Sequence, residues 1–183
     1  QKFQNSWFNG HGDRCSIQCV RLARRIRTHP EYRMSIDANF IKQLKWAARL
    51  HDVGKSVIEE KILNKMGKLT PTDWRIIKAH PDDGADIIDA VKLKDKTISN
   101  IIRFHQEKWD GSGYPDGIKE CTIPLGARML KIVDTLDSMT NNRPYRQVYS
   151  VHAALVEMDN EVGTSFDPLL YSIFRPMIEP KAG

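Results

Sequence analysis

The adjacent residues His51 and Asp52, in the run RLHDVGK, form the part of the sequence best suited to binding a metal ion. His51 follows Ile36, Phe40 and Leu44 at intervals that place all four on one face of a helix. A buried polar group without a partner costs about 1–3 kcal/mol, so an inward-facing histidine needs one. The neighbouring carboxylate indicates that this partner is a cation.

Other histidines and a second aspartate also fall on apolar helix faces. His105 follows three isoleucines with helical spacing, and His11 precedes Cys15 on the apolar stripe of the first predicted helix. His80 ends the segment DWRIIKAH, and Asp134 lies within RMLKIVDTLDSM. The pattern therefore predicts one set of inward-facing ligands: His11, His51, Asp52, His80, His105 and Asp134.

A simpler interpretation exists for each of these residues taken alone. A single inward histidine is usually a hydrogen-bonded core residue, and a single aspartate within a helix is usually a cap or an ion pair. Six such residues on separate helices favour a metal centre, because metal sites in helical bundles are built from facing helices. His29 and His152 fit no such face and are predicted to lie at the surface.

The ligand types also indicate the chemistry. A mixed histidine and carboxylate set suits iron, manganese or zinc better than calcium. Asp52 is placed to bridge two ions about 3.5–4 Å apart, the usual spacing in two-metal phosphoesterases. A hydroxide held between the ions would then serve as the nucleophile, without a serine or cysteine.

The elements that must position these ligands are predicted to be helices. We expect them at residues 12–28, 36–51, 71–79, 82–91, 95–106, 124–141, 150–161 and 167–177. No alternating run predicts a strand, and the long non-helical stretches are 52–69 and 107–123. The fold class is therefore all-α, a single helical bundle.

Composition narrows the class of protein. The 183 residues are 40% hydrophobic and 28% charged, as in an ordinary globular domain. No apolar run reaches the 18 residues that a membrane span needs. The net charge of +5 favours acidic ligands such as phosphates or nucleotides. No zinc-finger spacing or basic, aromatic-interleaved ribbon points to long nucleic acids.

The cysteines indicate the cellular compartment, and the first residue indicates whether the domain belongs to a longer protein. Cys15, Cys19 and Cys121 are too few and too scattered for a disulfide framework, which predicts a reducing compartment and a cytoplasmic location. The sequence starts with Gln1, so we expect residues 1–183 to be one domain of a longer protein.

Longer motifs carry a resemblance to a known family. HDVGK resembles the signature of HD phosphohydrolases, and residues 105–146, from HQEKWDGSGYPDG to NNRPYR, resemble the signature of the HD-GYP subfamily. Residues 61–88 match the segment that normally lies between the two, so the resemblance covers about residues 8–175. It implies a helical domain of the HD type, with a loop that carries the GYP motif. It also implies a metal centre that hydrolyses cyclic di-GMP to pGpG, GMP or both.

The resemblance also implies how the ligands are divided between two divalent ions. One ion is held by His11, His51, Asp52 and Asp134, and the other by Asp52, His80 and His105. Iron and manganese are the expected metals, with zinc, nickel and magnesium as further options.

The substrate side follows from the same resemblance. Lys55 is expected to contact a phosphate or the bridging water, as a catalytic and substrate-binding residue. Arg143 and Arg146 are expected to contact substrate phosphates, since arginine forms forked contacts to phosphate. Surface ion pairs or a helix-end charge are equally weighted alternatives for these two arginines.

The loop around Tyr114 and Pro115 carries several glycines, which tight turns favour for backbone reasons alone. Tyr114 has two interpretations, stacking on a guanine or packing the loop against the bundle. Glu107 and Asp110 are expected to hold the loop rather than to take part in chemistry.

Two departures from the family pattern concern the metal count. Gln106 stands where the family often has a second histidine, and an amide oxygen is a much weaker ligand than imidazole. We therefore expect Gln106 to be an indirect or absent ligand. Trp7 stands where three-metal members have a glutamate, which predicts two metals in this chain.

Two other functions stay open at this stage. The domain could be a weakly active or inactive module that binds cyclic di-GMP or docks a partner protein, or an HD hydrolase of another cyclic dinucleotide. The resemblance further implies an upstream receiver or sensor domain and contacts with GGDEF-type diguanylate cyclases, and it leaves a homodimer open.

Overall fold

The computed structural model describes residues 10–91, 95–141 and 148–179. Its main helices are α1 (His11–Ile26), α2 (Ala38–Leu50), α4 (Pro71–Lys78), α5 (His80–Ala90), α6 (Thr97–Phe104), α7 (Leu125–Thr140), α8 (Val151–Asp159) and α9 (Pro168–Ile178). A one-turn helix, α3 (Glu60–Leu63), and two 3₁₀ turns, Val53–Val57 and Glu120–Thr122, lie within the connections predicted as non-helical. The described residues form no strand beyond an isolated bridge between Val162 and Phe166. The predicted all-α bundle is confirmed.

Side-chain caps mark the starts of α2, α4, α8 and α9. Thr70 and Asp73 form a reciprocal capping box at the start of α4, and Pro71 occupies the first turn, where its missing N–H is not needed. Ser150 accepts a hydrogen bond from the N–H of Ala153 at the start of α8. Asp167 accepts from the N–H groups of two residues in the first turn of α9.

His80 was predicted to lie at the junction between helices at residues 71–79 and 82–91. The structure places it at that junction, since α4 ends at Lys78 and His80 is the first residue of α5, two residues before the predicted start. Pro81 is tolerated there because the first turn of a helix has unpaired N–H groups in any case.

The core lies between α1, α2, α6, α7 and the two C-terminal helices. α1 packs on both α2 and α7, α2 packs on α6, and α5 packs on α6 and on the Val53–Val57 turn. The predicted apolar stripes face this core, since Cys15, Leu22, Ile26, Leu44 and Ala47 are fully buried. Cys15 and Cys19 are buried free thiols, as predicted, and Cys121 is an exposed free thiol.

Candidate metal centre

Six side chains from five helices and one turn converge at one place in the bundle. They come from the start of α1 and α5, the ends of α2 and α6, the turn after α2, and the middle of α7. His51, His80 and His105 are each no more than 1% exposed, and His11 is 9% exposed. These six are the predicted ligands: His11, His51, Asp52, His80, His105 and Asp134.

The first group of ligand atoms lies between α1, α2 and α7. The Nε2 atoms of His11 and His51 are 3.2 Å apart. Asp134 Oδ1 lies 3.2 Å from His11 Nε2 and 3.7 Å from His51 Nε2. Ligand atoms of these three residues all lie within 4.8 Å of one another, close enough to hold one ion.

The second group surrounds Asp52. His51, Asp52 and His105 also offer ligand atoms within 4.8 Å of one another. Asp52 Oδ1 lies 3.5 Å from His80 Nε2 and 4.0 Å from His105 Nε2, and these two nitrogens are 3.3 Å apart. Asp52 Oδ2 also lies 3.7 Å from His51 Nε2, so Asp52 stands beside both groups, in the position that a bridging carboxylate needs.

The histidines are oriented as metal ligands by backbone carbonyls. The Nδ1 atoms of His51, His80 and His105 lie 2.6–2.8 Å from the carbonyl oxygens of Ala48, Ile77 and Ile102, each three residues earlier in the chain. A carbonyl oxygen can only accept, so each Nδ1 carries the proton and donates it. The Nε2 lone pairs then point into the centre, which is the usual arrangement behind metal-bound histidines.

His11 is oriented instead by the carboxylate of Asp137, a residue that was not predicted to belong to the site. His11 Nδ1 lies 2.6 Å from Asp137 Oδ2, and Asp137 also accepts two hydrogen bonds from Arg14. The available signal was spacing, because Asp137 and Arg14 each follow a predicted ligand by three residues and so share its helix face. Asp137 and Arg14 form the support behind His11.

The charges of the centre divide the histidines into two pairs. Burial lowers the pKa of His11, but hydrogen bonds to Asp134 and Asp137 outweigh it and raise the pKa to about 12. Burial likewise lowers the pKa of His51, and the neighbouring carboxylates of Asp52 and Asp134 reverse this into a net rise. Without metal, the carboxylates therefore favour the protonated form of these two imidazoles, and a bound cation would compete with that proton.

The other pair behaves in the opposite way. Burial, with the charge of Lys55, lowers the pKa of His80 to about 4. Burial and the neighbouring charges of His51 and His80 lower the pKa of His105 well below its usual value. Both imidazoles are neutral at pH 7, the form in which histidine binds metals.

Asp52 provides the test of whether a cation fits. Lys55 Nζ lies 2.7 Å from each carboxylate oxygen, but only the contact to Oδ2 has hydrogen-bond geometry. Oδ1, which faces His80 and His105, is buried and has no hydrogen-bond partner among the described residues. A buried anionic oxygen without a donor is costly, and a cation between it and the two Nε2 atoms would satisfy it.

Gln106 is engaged away from the ligand set. Its Oε1 accepts a hydrogen bond from Lys131 Nζ at 3.2 Å. Lys131 precedes Asp134 by one helical turn, and burial lowers the pKa of its ammonium. That Gln106 is an indirect or absent ligand stays a prediction, and the contact with Lys131 supports it. Trp7, the basis for predicting two ions, lies outside the described residues, as do Arg143 and Arg146.

The loop between α6 and α7 is held against the centre from both sides. Glu107 is buried, and its Oε1 accepts hydrogen bonds from the N–H groups of Asp116 and Gly117 at 2.8 and 3.0 Å. Asp110 accepts from the N–H of Ser112. These contacts agree with the predicted loop-holding role of both carboxylates. The loop places the ring of Tyr114 6.4 Å from that of His80, centroid to centroid, in an edge-on contact.

A cavity of about 560 Å³ reaches the centre from the side of His11 and Asp52. Lys55 and Arg49 line it together with the N-terminal end of α1. A cavity of this size is typical of a small-molecule site. Within it, Lys55 is paired with Asp52, and Arg49 is paired with Asp13.

Two glycines beside the ligands allow the helices to approach each other closely. A Cβ atom at Gly12 would lie 2.4 Å from the carbonyl oxygen of Arg49, where α1 meets the end of α2. A Cβ atom at Gly54 would lie 2.0 Å from the carbonyl oxygen of His80. Close approach at these positions brings His11 to His51, and Asp52 to His80.

Known proteins are similar to this chain in sequence and in fold. The HD domain family model matches residues 9–170. A cyclic di-GMP phosphodiesterase response regulator, RpfG, of Xanthomonas campestris pv. campestris is 36% identical over 70% of this chain and 34% of its own length. A 3'3'-cGAMP-specific phosphodiesterase of Vibrio cholerae is 33% identical over 89% of this chain and 30% of its own length. This chain therefore spans about a third of these relatives.

A solved structure has the same fold at lower sequence identity. The HDG"Y"P protein Bd1817 of Bdellovibrio bacteriovorus superimposes with a TM-score of 0.69 at 23% identity, over 93% of this chain and 52% of that one. The family match covers most of the sequence, so the chain belongs to the HD domain family, and its two signature segments resemble those of the HD-GYP group.

Proposed function

We propose that this domain is a metal-dependent phosphodiesterase that hydrolyses cyclic di-GMP to pGpG, GMP or both. The observation that carries the proposal is the pair of adjoining ligand groups that meet at Asp52. Relatives from Xanthomonas, Thermotoga and Pseudomonas named as cyclic di-GMP phosphodiesterases, at 33–36% identity, support this substrate.

A hybrid cyclic dinucleotide is the second candidate substrate. Three relatives from Vibrio cholerae, at 30–33% identity, are named as 3'3'-cGAMP-specific phosphodiesterases. Their identity to this chain is close to that of the cyclic di-GMP enzymes, so a substrate panel must include both compounds.

The proposed centre holds two divalent ions, with iron or manganese as the best fit to its imidazole and carboxylate donors. Bound there, the ions would lower the pKa of a water molecule and neutralise charge on the phosphate oxygens. His11, His51 and Asp134 would hold one ion, and His80 and His105 the other, with Asp52 shared between them.

Residues around the proposed ligands would contact the phosphate and orient the imidazoles. Lys55 reaches both the Asp52 carboxylate and the cavity, so its ammonium can contact a phosphate oxygen while it orients Asp52. Backbone carbonyls accept hydrogen bonds from the Nδ1–H groups of three imidazoles, so that Nε2 is the atom each ring turns towards the ions. Arg143 and Arg146 complete the proposed phosphate contacts.

We also propose a wider setting for the domain. It acts in the cytoplasm as the output part of a longer protein, behind a receiver or sensor domain, and its partners include GGDEF-type cyclases. This chain matches only about a third of the length of each relative, which supports the proposal of a longer protein. The described residues contain no helix long and apolar enough to cross a membrane.

The test is hydrolysis by metal-reconstituted protein. Iron- or manganese-loaded domain should convert cyclic di-GMP to pGpG or GMP, detected by chromatography, with cGAMP assayed in parallel. Asp52→Ala should abolish turnover and leave the helical circular-dichroism spectrum largely unchanged, because it removes the shared ligand and no core residue.

Metal analysis separates the enzyme from a binding module. Two metal equivalents per chain with turnover support the proposal. Cyclic di-GMP binding with no metal and no product would show a module that only binds the nucleotide. Near-normal turnover by Asp52→Ala would contradict the two-metal mechanism.

A further inference from the structure

α4 presents an unusual face to the outside of the bundle. Pro71, Trp74, Arg75 and Lys78 follow the i, i+3, i+4, i+7 pattern of a single helix face, yet α4 contains no buried residue. Trp74 is 49% exposed. Packing of the core therefore does not explain why a tryptophan lies on this face beside two cations.

This face forms one wall of a groove, and the GYP loop forms the other. The groove has a volume of about 860 Å³, and Tyr114 and Pro115 lie opposite the α4 face. Lys78 Nζ lies 5.3 Å from the centre of the Tyr114 ring. The groove thus combines two aromatic rings with two cations.

The cations of the groove are not neutralised by neighbouring carboxylates. Among the described residues, neither Arg75 nor Lys78 has a carboxylate oxygen within 4.0 Å, whereas Asp73 on the same helix pairs with Lys65. An uncompensated positive charge beside exposed aromatic rings favours a ligand that is both planar and anionic. A nucleotide has both properties.

A single ring separates the groove from the metal centre. The ring of Tyr114, which lines the groove, contacts the edge of His80. Ala79, the last groove residue of this segment, directly precedes His80 in the chain. The groove therefore adjoins the second ligand group, with the Tyr114 ring between them.

We propose that this groove is a nucleotide subsite that binds the half of the cyclic dinucleotide not undergoing cleavage. The proposal rests on the function proposed above, since a cyclic dinucleotide carries two phosphates and two bases and only one phosphate lies at the metals. Trp74 stacks on the second base, and Arg75 and Lys78 contact its phosphate. The Tyr114 ring, which lies between the metal centre and the groove, contacts both halves of the substrate.

The experiment compares a substrate that spans the groove with one that does not. Trp74→Ala should raise the KM for cyclic di-GMP about tenfold or more with a much smaller change in kcat, because stacking of the second base holds the ground state and the transition state alike. The effect on methyl p-nitrophenyl phosphate, a diester too small to reach the groove, should be at least tenfold smaller. Trp74→Phe, which keeps an aromatic ring, should recover most of the affinity.

A matched control exists on α2. Trp46 is 43% exposed and lies 5.9 Å from the guanidinium of Arg49, so it has the same chemistry away from the groove. Trp46→Ala should leave both substrates unaffected. Calorimetric titration of metal-loaded protein with a non-hydrolysable phosphorothioate analogue of cyclic di-GMP gives a second measurement, in which Trp74→Ala should weaken binding to a similar extent.

The outcomes separate this inference from the proposed function. Cyclic di-GMP hydrolysis with an unchanged KM in Trp74→Ala would overturn the subsite and leave the enzyme in place. Cleavage of the small diester without cleavage of either cyclic dinucleotide would overturn the proposed substrate. Equal losses in Trp74→Ala and Trp46→Ala would overturn the subsite as well, because they would show a general effect of removing an exposed ring.

Discussion

His11 illustrates how much a single ligand depends on the residue behind it. Its Nδ1–H is held by Asp137, which is itself held by two hydrogen bonds from Arg14. A carboxylate in this position fixes the ring orientation and increases the basicity of the opposite nitrogen. The same principle explains the backbone carbonyls behind the other three histidines.

We predict that Asp137→Asn lowers the affinity of the centre for metal by about 10–100-fold, the usual cost of losing a partner behind a ligand. An amide oxygen can still accept from Nδ1, so the helical content should persist. Metal titration followed by calorimetry would measure the change. Asp159, which is paired with Arg175 far from the centre, provides the control, and Asp159→Asn should not alter metal affinity.

At the scale of elements, the turn Val53–Val57 determines how α2 meets α5. The turn follows His51 and Asp52 and packs against the start of α5, where His80 lies. Gly54 is the point of contact, since a side chain there would overlap the backbone of His80 and Gly84. The glycine of HDVGK is thus required by packing between two ligand-bearing segments.

We predict that Gly54→Ala lowers the free energy of unfolding by about 1–3 kcal/mol, as overpacking usually does, and also reduces metal content. The added methyl group forces the Asp52 turn away from His80 and so separates the ligands of the second group. Urea denaturation and metal analysis would measure the two effects. Gly67→Ala is the matched control, because no atom lies within 4 Å of a Cβ built there. Equal behaviour of the two variants would contradict this account.

At the scale of the whole molecule, the centre connects elements that are far apart in the chain. Its proposed ligands come from α1, α2, α5, α6, α7 and the start of the Val53–Val57 connection, so a bound cation would link most of the bundle. Without metal, this region holds two carboxylates with lowered pKa values among buried imidazoles. Metal binding and folding stability should therefore be coupled.

We predict that divalent metal at 100 times its dissociation constant raises the free energy of unfolding by about 2.7 kcal/mol. For a chain of this length, each kcal/mol corresponds to a rise in Tm of about 2–4 °C. Differential scanning calorimetry with metal and with chelator would measure the shift. Asp52→Ala should show a much smaller shift, and a metal-independent Tm in the native protein would exclude a metal centre that bridges the helices.

The sequence determined the helices and the identity of the six converging side chains. Helical periodicity reports which face of each segment is buried, and a polar residue on such a face is visible without a structure. Local caps such as the Thr70–Asp73 box are also visible in the sequence, because the two residues that form them are three positions apart.

Only the tertiary structure decided which distant residues meet. Asp137 lies 126 positions from His11, and Lys131 lies 25 positions from Gln106. Tyr114, in the GYP loop, lines the same groove as the α4 face. Periodicity gives the direction in which a side chain points but not the neighbour it contacts. Those contacts depend on how the helices approach one another, which glycines such as Gly12 and Gly54 control.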